Sequence, residues 1–225
     1  MTPADLSGWR KGERARLLAE RDALGEDTLA AMRLRIDHHL ERAFPEWVHG
    51  MLAFCWPHRN EYDFRHLAAE LRRRGAHTAL PVVVAPKSPL IFREWHPGVK
   101  MAKGPLGIPY PADAPEAIPD HALVPMVGWD GDGYRLGYGG GFFDRTLASL
   151  TKRPQVIGVA YEHAYLRTIH PQPHDIPMDF VVTERGVYRR EPQGLKFLDN
   201  PQAFSSPPCY AGEIAPGYFG EEPKS

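Results

Sequence analysis

The chain is poor in cysteine, in net charge and in long apolar runs. Only Cys55 and Cys209 are present in 225 residues. Two cysteines make no disulfide framework, and Cys55 sits in an apolar run, so both are expected to be reduced thiols. Lys and Arg number 27 against 28 Asp and Glu, a net charge of −1. That balance creates no global basic field, so non-specific nucleic-acid or anionic-membrane binding is not expected. No apolar run approaches the roughly 18 residues a membrane helix needs. The start, MTPADLSGWRKGERARL, lacks the apolar stretch of a secretory signal, so a cytoplasmic location is expected.

What is abundant is glycine (21) and proline (23), about a fifth of the chain against a usual share of roughly 12%. Such a density of breakers excludes a coiled coil or a long helical bundle. Disorder is excluded too, because 43% of the residues are hydrophobic and 11% aromatic, enough for a sizeable core.

Periodicity divides the chain into alternating elements. Residues 9–24 read as a helix, and so do 28–43, where Leu29, Met32, Ile36 and Leu40 share one face. Asp27 and Thr28 are candidate caps, and Pro45 closes the second helix. Short apolar runs at 51–56, 78–84, 90–95, 123–129, 156–161 and Phe180–Thr183 read as strands. Helices are expected at 63–74, ended by Gly75, and at 142–150. Residues 96–120 form an irregular, proline-rich excursion. Strand and helix in alternation predict a three-layer α/β fold, with a mostly parallel open sheet and helices on both faces. Ligands in such folds bind beyond the carboxyl ends of the strands, which directs attention to the loops after Trp56, Val84, Trp129 and Tyr161.

One α/β domain over 1–190 is expected, followed by an extension at 191–225. The extension holds six prolines and four glycines without periodicity. It is either a loosely ordered tail or an arm that packs on a neighbouring subunit through Phe204, Tyr210, Tyr218 and Phe219.

The strongest local signal is GWDGDGYRLGYGGGFFDR at 128–145, which holds seven of the 21 glycines between 128 and 141. It lies between a strand and a helix, where backbone N–H groups can approach an anion and a helix N-terminus adds partial positive charge. Neither the dinucleotide fingerprint nor the Walker pattern fits it. The loop brings its own charges, Arg135 before it and Asp144 and Arg145 after it. Arginine pairs with phosphate, and an aspartate among phosphates suits Mg2+. The competing interpretation is a glycine-rich turn whose aspartate only caps a helix. His170 and His174 have a spacing compatible with two zinc ligands, but Pro171 and Pro173 deny them a helix and no further His/Cys cluster accompanies them.

VPMVGWDGDGYRLGYGGGFFDR resembles the signature of the 5-formyltetrahydrofolate cyclo-ligase family. Arg10-Lys11-x-x-Arg14, WPHRNEYD at 56–63, LPVV at 80–83, GIPYP at 107–111, IGVAYEHA at 157–164 and HDIPMDFVVTE at 174–184 agree with it in order. The similarity spans about residues 10–188. It implies ATP- and Mg2+-dependent conversion of 5-formyltetrahydrofolate to 5,10-methenyltetrahydrofolate, with ADP and phosphate as the other products and no protein nucleophile. It also implies the site residues. Arg10, Lys11, Arg14 and the loop Arg135, Leu136, Gly137, Tyr138, Gly139, Gly140, Gly141, Phe142 and Phe143 would bind ATP. Trp56, Glu61, Leu106, Tyr138, Gly139 and Gly140 would bind the reduced folate, and Asp144 and Asp175 the metal. Gly140 stands where many members carry lysine. Taken alone, Arg10, Lys11 and Arg14 belong to a mixed run with Glu13, Arg16, Glu20 and Arg21 that reads as a solvated helix face. A folate- or nucleotide-binding relative without catalysis is the other function the resemblance leaves open.

Overall fold

The computed structural model describes residues 2–199, apart from the side chain of Leu106. Cys209 and the aromatic residues of the proposed C-terminal arm lie outside the described residues. Two helices come first, α1 (Pro3–Asp22) and α2 (Glu26–Ala43). The first starts earlier than the apolar pattern predicts. Thr2 and Asp5 form a reciprocal capping box, and Pro3 occupies the first turn, where its missing N–H costs nothing. Gly25, not Asp27 or Thr28, caps α2.

The rest of the described residues build an α/β sandwich with these helices. Its elements are β1 (Met51–Ala53), α3 (Arg65–Arg73), β2 (His77–Val82), β3 (Ile91–Glu94), β4 (Met101–Lys103), β5 (Pro109–Pro111), β6 (His121–Pro125), β7 (Gly128–Asp130), β8 (Arg135–Leu136), α4 (Phe142–Ser149), β9 (Gln155–Val159), β10 (Tyr165–Leu166), β11 (Phe180–Thr183), β12 (Gly186–Glu191) and β13 (Gly194–Phe197). Eight strands pair in the order β13-β12-β11-β9-β6-β1-β2-β3. The five central strands are parallel; β3 and β12 run against them at the two sides, and β13 pairs antiparallel with β12 at the outer edge.

The two faces bury different cores. Leu52, Leu123 and Ile157 pack with Ile36 and Leu40 of α2 and Leu67 and Leu71 of α3. Ala53, Ala122, Val124 and Val156, pointing the other way, pack with Leu17 and Leu18 of α1 and Leu147 of α4. The period-2 alternation of each strand thus feeds two helical layers.

Several boundaries differ from expectation. The 123–129 run is not one strand. The chain leaves the main sheet after Pro125, and β7 joins a separate small sheet, β10-β7-β8. The 96–120 excursion contains the antiparallel pair β4–β5. Phe180–Thr183 is not the last strand, because β12 and β13 follow and carry the sheet past residue 190. These edge strands are charged and half exposed, so they show no apolar run.

The neighbours β1 and β6 mark the point where the strand order reverses. From β1 the chain proceeds to β2 on one side, and from β6 to β9 on the other. Crevices in open α/β sheets form at such a point.

Candidate functional site

At the carboxyl ends of β1, β6 and β9 lies a narrow recess walled by Cys55, Glu61, Met126, Ala160, Tyr161 and Arg21. Its free space is on the order of one or two water molecules. Burial pushes the Cys55 thiol well up, so it stands there as an apolar wall rather than a nucleophile.

Glu61 is buried beside Arg21, 3.8 Å away, and accepts hydrogen bonds from the Tyr138 hydroxyl (2.9 Å) and the His58 N–H (3.0 Å). Burial raises its carboxyl above the ordinary range, against the pull of Arg21, Tyr138 and His58. The Tyr138 hydroxyl also accepts from Arg21 Nη2 at 2.6 Å. Tyr138 belongs to the glycine loop, so the loop and the recess meet at this one side chain. Tyr161 closes the recess with its hydroxyl on the Asn60 carbonyl, and burial pushes that phenol up to about 12.

The loop hangs from β7 and β8. Buried Asp130 organises its base, accepting from the N–H groups of Asp132 and Tyr134 and, across the chain, of Ile169. Gly139 (φ +94°) and Gly141 (φ +62°) turn the backbone through the left-handed region into α4. Arg14 donates from Nε to the Gly137 carbonyl at 2.6 Å, and its guanidinium lies 3.4 Å from where a Cβ on Gly139 would stand. Burial and the neighbouring Arg10 charge both lower its pKa, and an anion beside it would relieve the like-charge repulsion.

Two ion pairs flank the loop. Arg135 Nη2 meets Asp144 Oδ1 at 2.8 Å, while its Nη1 donates to the Ile176 carbonyl. Arg10 meets Asp175 at 2.6 Å and donates to the carbonyls of Ile169 and His170. Burial would raise the Asp175 carboxyl, but Arg10 and the Gln172 N–H outweigh it and hold the group below its usual range. The Ile176 N–H donates to Asp144 Oδ1, which ties the 175–176 segment to the start of α4.

Among the described residues no three His, Cys, Asp or Glu cluster as a metal site, and His170 packs against Trp9. Asp144 and Asp175 nevertheless fit a Mg2+ ion shared with a phosphate ligand. They are hard oxygen donors held on adjoining segments, and Mg2+ is ordinarily bound by one or two carboxylates with phosphate and water completing its shell.

The remaining residues singled out in the sequence divide plainly. Leu136 is buried in the core at 1% exposure, so only its backbone belongs to the loop. Phe142 and Phe143 are half-buried, with the guanidinium groups of Arg145 and Arg135 over their rings. Arg145 also donates to the Gly140 carbonyl. Lys11 is exposed and lies off the face that carries Arg10 and Arg14. Trp56 stands between Trp95 and the Arg65 guanidinium. The Leu106 side chain lies outside the described part.

Arg21 is not on a solvated face. It is 5% exposed and enters the recess. The signal was present in the sequence: Arg10, Arg14, Leu17 and Arg21 fall at i, i+4, i+7 and i+11, one stripe of α1.

The chain is similar to known proteins in sequence and in fold. The model of the 5-formyltetrahydrofolate cyclo-ligase family matches residues 6–184. The 5-formyltetrahydrofolate cyclo-ligase of Escherichia coli (strain K12) is 34% identical over 136 residues, which cover 57% of this chain and 74% of that protein. That of Mycolicibacterium smegmatis is 37% identical over 122 residues, covering 50% and 63%. The solved structure of the 5,10-methenyltetrahydrofolate synthetase of Aquifex aeolicus superposes with a TM-score of 0.70 at 26% identity, covering 84% of this chain and 97% of its own. The family match takes in the α1 arginines, Glu61, the glycine loop and both aspartates, and on that breadth the chain belongs to the 5-formyltetrahydrofolate cyclo-ligase family.

Proposed function

We propose that the chain is a cytoplasmic enzyme that closes 5-formyltetrahydrofolate to 5,10-methenyltetrahydrofolate, using ATP and Mg2+ and releasing ADP and phosphate. The observation that carries this reading is the junction at Tyr138. One short loop touches guanidinium groups suited to phosphate on one side and a buried carboxylate suited to a pterin edge on the other.

The chemistry explains why both are needed together. A formyl oxygen on nitrogen is a very poor leaving group. Its attack on the γ-phosphorus of ATP breaks the bond to ADP and turns that oxygen into part of a phosphate ester. N10 then attacks the formyl carbon, the carbon–oxygen bond breaks, inorganic phosphate departs and N10 loses its proton. No protein nucleophile enters, so the protein's work is positioning and charge neutralisation. Arg10, Arg14 and Arg135 would neutralise phosphate oxygens, with the backbone of Gly137–Gly141 cradling them. Mg2+ held by Asp144 and Asp175 would add charge neutralisation at the same oxygens. Glu61 would accept from the 2-amino and ring N–H groups of the pterin. Tyr138, Gly139 and Gly140 would approach the folate from the loop, with Trp56 and Leu106 as further walls.

The test is the absorbance of the methenyl product with protein, 5-formyltetrahydrofolate and MgATP, alongside ADP. One ADP per methenyl product is expected. Folded protein that makes no product overturns the catalytic reading, and ligand binding without ADP formation would leave a binding relative in its place.

A further inference from the structure

Arg21 carries more hydrogen-bonding capacity than the fold uses. Its side chain is 6% exposed, yet only Nη2 has a short partner, the Tyr138 hydroxyl at 2.6 Å. Nη1 reaches the Met126 carbonyl at 3.5 Å, and Nε is buried with no partner at all. A guanidinium presents five N–H donors, and burying it is costly unless acceptors fill them. The core does not need a charge at this position, since Leu17 and Leu18 already anchor α1 one turn earlier.

The contact that does exist shows what would fill the rest. A single phenolic oxygen accepts from Arg21 and donates to Glu61. Arg21 and Glu61 therefore offer the recess a donor beside an acceptor, and they hold a group with the reverse pattern. A ring carbonyl next to a ring N–H presents that pattern on neighbouring atoms, with room for charge-assisted bonds on both sides. An amino group in place of the carbonyl would set donor against donor.

We propose that Arg21 is the specificity-determining residue for the pterin ring. Its guanidinium donates to the 4-oxo oxygen while Glu61 accepts from the adjacent N3–H and the 2-amino group, and the Tyr138 phenol yields that place to the ligand. This rests on the folate reading above and adds the group that tells an oxo ring from an amino ring.

Folic acid and aminopterin differ in carrying oxo or amino at this position, and with it in whether N3 carries the proton that Glu61 accepts. Their dissociation constants are measured by competition against bound 5-formyltetrahydrofolate in the full chain, for wild type, Arg21→Met and Arg21→Gln. Wild type is expected to favour folic acid by about tenfold or more, the value of one charge-assisted hydrogen bond. In whichever variant keeps the wild-type unfolding transition, the ratio is expected to fall by about tenfold, leaving only the preference that Glu61 keeps through N3. ATP affinity is expected to hold. A merely structural Arg21 would weaken both ligands alike and leave their ratio unmoved. An unchanged ratio in a folded variant, or no preference in wild type, overturns the proposal while leaving the folate reading intact. Wild type that does not bind 5-formyltetrahydrofolate overturns the folate reading itself.

Discussion

Replacing Gly139 and Gly137 by alanine, one at a time, sets two positions of one loop against each other. Gly139 has φ +94°, and a Cβ there would stand 3.4 Å from Cζ of Arg14 and 3.6 Å from its two terminal nitrogens. An L side chain in the left-handed region costs about 1–2 kcal/mol. For a domain of this size each kcal/mol lowers Tm by about 2–4 °C, so Gly139→Ala is expected to melt roughly 2–8 °C below wild type. The methyl group also crowds Arg14, whose Nε bond to the Gly137 carbonyl aligns it with the loop. Losing one charge-assisted contact to phosphate is expected to raise the KM for ATP by about tenfold. Gly137 meets nothing within 4 Å and needs no positive φ. Gly137→Ala is therefore expected to be neutral or to stabilise by up to about 1 kcal/mol, through a less flexible unfolded chain. Calorimetric melting and ATP titrations of turnover read both effects. Equal melting temperatures for the two variants, or a larger loss at Gly137, would refute the assignment of strain to Gly139.

Asp144→Asn is expected to lower kcat on the order of a hundredfold, with partial recovery at raised Mg2+; wild-type turnover at unchanged Mg2+ dependence would remove Asp144 from the metal site. Asp175 is held below its ordinary pKa by Arg10 and the Gln172 N–H against the effect of burial, so its ionised form stabilises the fold above the unfolded value. Wild type is expected to exceed Asp175→Asn in urea-unfolding stability at neutral pH. The gap should close as the pH falls below about 4 and through the folded pKa, and a gap independent of pH would contradict the ion pair's role.

The central strands and the loop were legible because their signals are local. Apolar runs of β-branched and aliphatic residues announce buried parallel strands, and seven glycines in 14 residues announce a backbone that must bend and approach something closely. The edges were not legible. β12 reads GVYRRE, with charges on a half-exposed strand, and its identity comes from pairing with β11 and β13 rather than from its composition. Pro125 and Met126 sit inside an apolar run that looks continuous, yet the chain turns there out of one sheet into another. Arg21 was hidden by its neighbours Glu20 and Asp22, because its burial depends on how α1 crosses the site. Leu136 illustrates the opposite error. Membership of a motif says which segment approaches a ligand but not which side chains do, and this one faces the core.

The most direct test of the account is the fate of the formyl oxygen. With 5-formyltetrahydrofolate labelled by heavy oxygen in the formyl group, turnover with MgATP is expected to place one labelled oxygen in each released inorganic phosphate, read by the isotope shift in phosphorus NMR. Label released into water, with none in phosphate, would contradict phosphoryl transfer to the formyl oxygen and with it the function assigned to the loop.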